Sequence, residues 1–286
     1  MKPTPHFLRK DFREYFLKYD LKANTTTKLE VKGWDGDLVL HGIDIWRFKD
    51  NPSKVHLFAV NHGRKGESIT VFSHKLGSNT LEFVKDISNP LLKTPNAVTP
   101  SGPLVSGDFQ YANGVLLTED GKTLLVNDLY EGTTIIYDVD PVTKDLILER
   151  KVVRRKAYQF EVLETFHSLT KFFTQRLGGT PDNLAEIPIS GDIVVPVFPN
   201  LESLFKRGFG PGGLDYGTLC ESAVVRLDKA KGYAPELLFW DDGSQLSVLT
   251  GAAVDPYHKK LIAGGMFSKG FIVCNISNDS TGVHFD

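Results

Sequence analysis

The feature that most constrains this chain is a motif that recurs along it, a turn cluster of Asn, Asp, Gly or Pro leading straight into a short run of β-branched or leucine-rich residues. It occurs as NPSKVHLFAV at 51–60, EDGKTLLVND at 119–128, ISGDIVVPV at 189–197 and DPYHKKLIAG at 255–264. Tight turns feeding short apolar runs predict strands entered from hairpins. The starting turns lie roughly 70 positions apart, longer than the ~20–50 residues of common repeat arrays, yet regular enough to suggest one architecture used several times. Three of the runs are followed by a second, alternating one: ESITVFSH at 67–74, GTTIIYDVD at 132–140 and KGFIVCNI at 269–276. Alternation sends one face inward and one outward, as in antiparallel sheets. A parallel α/β sheet would need a helix between successive strands, so the pattern predicts an all-β chain of propeller blades, read as one β-propeller domain over 1–286.

One helix is predicted, AYQFEVLETFHSLTKFFTQRL at 157–177, with Phe160, Leu163, Leu169, Phe173 and Leu177 near helical spacing and a Gly178-Gly179 stop. Arg150, Lys151, Arg154, Arg155 and Lys156 directly precede it. The first reading is an inserted surface helix that packs its apolar stripe on the blades. The second is peripheral lipid contact through 150–177, or a cap over a binding pocket. The Gly-rich stretch RGFGPGGLDYG at 207–217 is not a phosphate loop, because Pro211 interrupts it and no Lys-Ser/Thr pair follows. A long surface loop is expected there.

Charge narrows the partners. With 33 Lys plus Arg against 35 Asp plus Glu there is no bulk field to recruit nucleic acid. The N-terminal stretch lacks the apolar core of a secretory signal, and no stretch approaches a membrane span, so the compartment stays open. Cys220 and Cys274 permit one internal disulfide at most and offer no C-x-x-C pair.

No H-E-x-x-H and no G-x-S-x-G is present, so zinc proteolysis and a serine nucleophile have no support. What remains is a set of residues beside predicted strands: Asn61-His62, Thr94-Pro95-Asn96, Tyr111-Ala112-Asn113-Gly114 and Thr180-Pro181-Asp182-Asn183. Amide oxygens and carboxylates are hard ligands, and several converging from different loops suit Ca²⁺, which takes six to eight oxygens in flexible geometry. Each alone also has an ordinary reading: Asn113-Gly114 as a hairpin turn, Pro181-Asp182-Asn183 as turn chemistry, His62 as a surface histidine.

A family resemblance bears on that choice. The stretch HGIDIWRFKDNPSKVHLFAVNHGRKGESITVFSHKLGSNTLEFVKDISNPLLKTPNAVTPSGP at 41–103 is similar along nearly its whole length to the segment of the serum paraoxonase/arylesterase family that contains the VNH signature. ANGVLLTEDGKTLLVND at 112–128, PDNLAEIPISGDIVV at 181–195 and SVLTGAAVDPYHKKLIAGG at 247–265 resemble later blades, in the same order. The resemblance implies a six-bladed β-propeller with calcium in a central tunnel, closed by its N-terminal strand, and hydrolysis of aryl esters or lactones. Carried over residue by residue, it makes Asn96, Asn113, Asp182 and Asn183 ligands of the catalytic calcium and His62 the histidine that assists water attack. Such chemistry is coherent, since a cation polarises the carbonyl while an imidazole takes a proton from water.

The resemblance also leads us to expect a shortened copy. The family's N-terminal leader, Glu-Asp pair and first cysteine have no counterpart, which leaves Cys274 without the partner that the family implies. Ala97 stands where the family has a calcium-binding Asp, Phe83 where it has a second histidine, and the connection from Pro103 to Tyr111 replaces most of a blade. Three functions follow from these readings: a calcium-dependent esterase or lactonase, a catalytically impaired propeller that binds a ligand or partner, and a metal-independent condensing enzyme like strictosidine synthase.

Overall fold

The computed structural model describes residues 12–90, 92–100, 111–151, 179–209, 218–266, 268 and 270–282. The chain divides into two compact units, Met1–Ser101 and Gly102–Asp286.

In the first unit, β1 (Leu17–Asp20) and β2 (Thr25–Lys28) form a hairpin, and β3 (Glu30–Lys32) follows. Four antiparallel strands then meander through β4 (Leu40–Arg47), β5 (Lys54–Gly63), β6 (Gly66–Lys75) and β7 (Thr80–Ile87). The expected strands at 51–60 and 67–74 are β5 and β6. Gly66 turns between them at φ 120°, a backbone that side chains rarely adopt. β3 joins the outer edge of this same sheet, parallel to β7. Phe16, Leu38, Leu57, Phe72 and Leu81 fill the core, with Trp34 and Phe83 packed against it, ring centroids 4.8 Å apart. Phe83 therefore serves as a core side chain of this sheet.

The second unit holds three further sheets. β8 (Ala112–Leu117), β9 (Thr123–Asp128), β10 (Thr133–Val139) and β11 (Leu146–Lys151) make a four-stranded meander. β12 (Thr180–Pro181) and β13 (Ala185–Glu186) both pair with β14 (Ile193–Phe198), which continues to β15 (Ser222–Asp228) and β16 (Ala234–Asp241). β17 (Leu249–Asp255), β18 (Lys260–Gly265) and β19 (Phe271–Asn275) complete the set.

Strand β14 shows why these sheets stack. All six of its residues are buried. Ile193, Val195 and Val197 face one way, onto Leu116, Leu125 and Ile136 of the β8–β11 sheet. Val194 faces the other way, onto Leu249, Val254 and Leu261 of the β17–β19 sheet. On β15 the same split puts Ala223, Val225 and Leu227 on one side and Val224 on the other. Successive strand residues point to opposite faces, so a continuous apolar run is what a sheet covered on both faces requires. Face-to-face stacking of meander sheets is the propeller plan, and the protein is an all-β propeller. Four blade-like sheets lie among the described residues, where the resemblance implies six.

One expectation lies outside the described residues, and another meets a different structure. The helix predicted at 157–177 lies outside the described residues, while the basic run ahead of it begins as strand, with Arg150 and Lys151 in β11. A helix that the pattern missed, α1 (Leu201–Phe209), precedes the Gly-rich stretch and takes in its first residues. Asn200 starts it, its side chain accepting from the Glu202 and Ser203 N–H groups at 3.0 and 3.1 Å. Leu201 and Leu204 anchor it against Phe198, Cys220 and Val248. A short final helix, α2 (Asn278–Thr281), is capped by Ser277. Both Cys220 and Cys274 are free thiols, and burial pushes the Cys220 thiol up to about 11. No described helix is long and apolar enough to cross a membrane.

If stacking on both faces of β14 and β15 holds the second unit together, Leu227→Ala should cost about 2–5 kcal/mol in urea unfolding. The exposed control Val142→Ala should stay within about 0.5 kcal/mol.

Candidate functional site

The sequence candidates fall into two groups, one in each unit. In the second unit, Asn113 sits inside β8, where Ala112 pairs with Asp128 and Val115 with Val126, so that Asn113 and Gly114 form a bulge. This overturns the hairpin reading of Asn113-Gly114: the pair is in a strand, and Gly114 is absent from the positive-φ positions. What Gly114 provides is room. A Cβ there would lie 2.5 Å from the Asp182 carbonyl oxygen and 2.9 Å from Asn183 Cα. The missing side chain lets the Asp182–Asn183 backbone pass directly against the bulge.

That backbone is held from several sides. The Asp182 N–H donates to Pro196 O at 3.0 Å, and its carbonyl accepts from Asn127 Nδ2. Asn127, fully buried on β9, has its own Oδ1 satisfied by Thr134 Oγ1 at 2.7 Å. Asn183 Nδ2 donates both to Asp182 Oδ1 at 2.7 Å and to Thr250 O on β17 at 2.8 Å. Asn113, Asp182 and Asn183 are thus brought together at the meeting of three sheets.

The electrostatics of this cluster are unusual. Asp182 is 6% exposed, and burial pushes its carboxyl up to about 7, against hydrogen bonds from the Asn113 side chain and the Asn183 backbone. No Lys, Arg or His pairs with it among the described residues. Asn113 Oδ1 is buried with no hydrogen-bond partner. A buried carboxyl with amide hydrogen bonds but no counter-charge, beside an amide oxygen that has lost water without replacement, is unfavourable as it stands. A hard cation would satisfy both, and oxygen donors of this kind suit calcium. The donor set fits the ion, although no group of three or more His, Cys, Asp or Glu forms a metal cluster among the described residues.

In the first unit, His62 lies near the end of β5. Its N–H donates to Val39 O at 2.8 Å, its Nδ1 meets Glu67 Oε2 on β6, and its Nε2 lies 3.0 Å from Nδ1 of His41 on β4. Asn61 beside it is buried and latched, Nδ2 to Asp37 O at 2.9 Å and Oδ1 to the Val39 N–H at 2.9 Å. The Asp37 carboxylate in turn grips Arg64 through its backbone N–H and guanidinium, which holds that carboxyl down to about 2. His62 is therefore braced on both sides by one aspartate.

His41 and Gly42 form a bulge of the same kind as Asn113 and Gly114, between the Leu40–Asn61 and Ile43–Ala59 pairs. Here too the glycine admits a loop: the Gly42 N–H donates to Asn96 O at 2.9 Å, and a Cβ would lie 2.4 Å from that oxygen. Asn96 Oδ1, like Asn113 Oδ1, is buried without a partner. Ala97 follows in the same close approach, its Cα 2.7 Å from the place of a Gly42 Cβ.

One curated relative, serum paraoxonase/arylesterase 2 of Rattus norvegicus, is 25% identical over 315 aligned positions, covering 93% of this chain and 78% of that protein. The chain resembles the serum paraoxonases. Serum paraoxonase/lactonase 3 of Homo sapiens is 26% identical over 265 positions, covering 84% of this chain and 70% of that protein. The first alignment is longer than the 286-residue chain, so it places residues of that paraoxonase opposite gaps here. No protein-family model matches. Among solved structures, a luciferin-regenerating enzyme superposes with a TM-score of 0.49 at 15% identity, over 89% of this chain and 78% of that one.

Sequence reading singled out His62 and the four Asn and Asp residues but passed over His41, Glu67 and Asn127. The signal for His41 was present: Leu40-His41-Gly42-Ile43 and Ala112-Asn113-Gly114-Val115 share one pattern at the start of a strand. Glu67 is recognisable only from the β5–β6 register, in which it pairs with His62.

Gly114→Ala should cost about 1–3 kcal/mol in chemical denaturation, because the backbone facing it has to move. Gly121→Ala, at a turn with open space but φ 69°, should cost about 1 kcal/mol through backbone strain alone.

Proposed function

We propose that this chain is a calcium-dependent hydrolase of aryl esters or lactones. The observation that carries the reading is the Asn113–Asp182 pair, a carboxyl and an amide oxygen buried together with no cation partner among the described residues. Asn113, Asp182 and Asn183 are the residues of the second unit that would hold the ion, and Asn96 brings an orphaned amide oxygen in the first. Calcium, when bound, supplies polarisation of the ester carbonyl and stabilisation of the oxyanion that develops on it. The chain's own part is to hold those oxygens in place through Asn127, Thr134 and Thr250, and to move a proton through the His62 pair. Similarity to proteins named for arylesterase and lactonase activity supports the substrate class. The substrates are small molecules, and the near-balance of charge gives nucleic acid no role.

A second reading is favoured by Ala97, whose side chain cannot coordinate an ion, and by Asp182 standing as the one carboxylate of its cluster. Under it the protein binds calcium or a ligand without turnover.

Phenyl acetate and a δ-lactone, assayed with calcium and with chelator, separate the two. Hydrolysis should require calcium and fall at least ~100-fold in Asn113→Ala and Asp182→Ala. Calcium at about 100 times its Kd should stabilise the wild type by about 2.7 kcal/mol, and neither variant. Turnover that survives chelation sinks the calcium-dependent hydrolase; stabilisation without turnover establishes the binding protein instead.

A further inference from the structure

Among the described residues, three buried side-chain oxygens have no hydrogen-bond partner: Asn96 Oδ1, Asn113 Oδ1 and Thr180 Oγ1. Two of them belong to the donors already named for the ion. The third opens the Thr180-Pro181-Asp182-Asn183 stretch, and neither the resemblance nor the hydrogen bonds above give it a task. Thr180 is 1% exposed, so its hydroxyl has lost water and gained nothing in return. Val has nearly the same shape and would fill the place without that cost. A hydroxyl kept where a methyl would pack better points to something that the oxygen holds.

Strand geometry fixes where that oxygen stands. β12 pairs Thr180 with Phe198 and Pro181 with Val197, and the Asp182 N–H donates to Pro196 O, so the same register runs on through Asp182. Residues two apart on a strand share a face. Thr180 and Asp182 therefore project to one side of the chain, and Pro181 to the other. That side is turned toward β17: Phe198, directly opposite Thr180, clusters with Val248, and Asn183 beside Asp182 donates to Thr250 O. A glycine again allows the close passage, since a Cβ on Gly179 would lie 2.1 Å from Phe198 O.

We propose that Thr180 is a cation-binding residue of the Asn113–Asp182 site, with its Oγ1 as a neutral oxygen donor beside the Asp182 carboxylate. The inference rests on the calcium reading above and deepens it, giving the site a donor outside the Asn and Asp set. Calcium takes six to eight oxygens, more than the side chains of Asn113, Asp182 and Asn183 supply. Asn183 has little freedom to turn, because its Nδ2 is committed to Asp182 Oδ1 and Thr250 O. A hydroxyl offers two lone pairs and carries no charge, so it adds coordination without adding repulsion to the carboxylate.

The proposal is tested by calcium binding to the full chain, with turnover left out of it. Thr180→Val should weaken calcium binding about 10- to 100-fold in titration calorimetry, while Thr180→Ser, which keeps the oxygen, should stay within about threefold of the wild type. With terbium in place of calcium, luminescence decay in H₂O and D₂O should count about one more bound water in Thr180→Val, as water takes the vacated position. In urea with chelator, Thr180→Val should unfold at the same midpoint as the wild type or a higher one, because the orphaned hydroxyl is gone. Added calcium should then raise its midpoint by less than it raises that of the wild type.

A Thr180→Val variant that binds calcium like the wild type, with an unchanged water count, overturns the proposal and leaves the calcium reading standing. An equal loss of stability with and without calcium does the same, since it marks the hydroxyl as structural. A wild type that binds neither ion, or binding that persists in Asp182→Asn, sinks the calcium reading of this site and the role of Thr180 with it.

Discussion

A sheet that is apolar on both faces must be covered twice, and the second unit of this protein is organised around meeting that demand. Strand β14 carries Ile193, Val195 and Val197 toward one neighbouring sheet and Val194 toward the other, while β15 repeats the division with Val225 and Val224. Burying a Val or Leu side chain is worth roughly 1.5–3 kcal/mol, so these two strands alone tie three sheets into one body. Stacking of this kind also fixes where strand ends meet. The ends of β8, β12 and β17 come together, which is why Asn113, Asp182, Asn183 and Thr250 are neighbours although they are spread over more than a hundred residues of chain.

Bringing polar loops together at such a meeting point needs close backbone approach, and the chain achieves it with one device used in each unit. A strand begins, bulges at a residue followed by glycine, and the glycine lets the next loop lie against it. Gly42 admits Asn96 in this way, and Gly114 admits Asp182 and Asn183. The bulge also turns the preceding residue out of the ladder's ordinary register, which is how His41 and Asn113 come to face groups far from them in sequence. Geometry set by a missing side chain thereby decides which chemistry is assembled.

Polar burial in the two clusters is handled in opposite ways. Around His62 nearly every donor has an acceptor: Asn61 with Asp37 and Val39, Asp37 with Arg64, and His62 with Glu67 and His41. Such a network is rigid and holds one orientation. Around Asp182 the backbone is satisfied and the carboxyl accepts from Asn183 Nδ2, but no cation faces it among the described residues, the Asn113 amide oxygen has no partner, and burial lifts the carboxyl to about 7. A native structure rarely leaves buried oxygens in that state without a function for them.

The sequence by itself determined the β architecture. Turn clusters and apolar runs at 51–60, 119–128, 189–197 and 255–264 became strands because hairpin chemistry and period-two patterning are local properties, readable within ten residues. It also determined which Asn and Asp residues were worth attention, through their resemblance to the serum paraoxonases. α1 escaped the pattern because its helix depends on the Asn200 cap and on burial of Leu201 and Leu204 against Cys220 and Val248, the latter pair distant in sequence. Asn113-Gly114 read locally as a hairpin, and only the pairing of β8 with β9 made it a bulge. Glu67 and His41 gained their meaning from register alone, since what joins them to His62 is the alignment of three adjacent strands. The tertiary structure decided these points because they rest on contacts between separate stretches of chain, and no short window of sequence contains both partners.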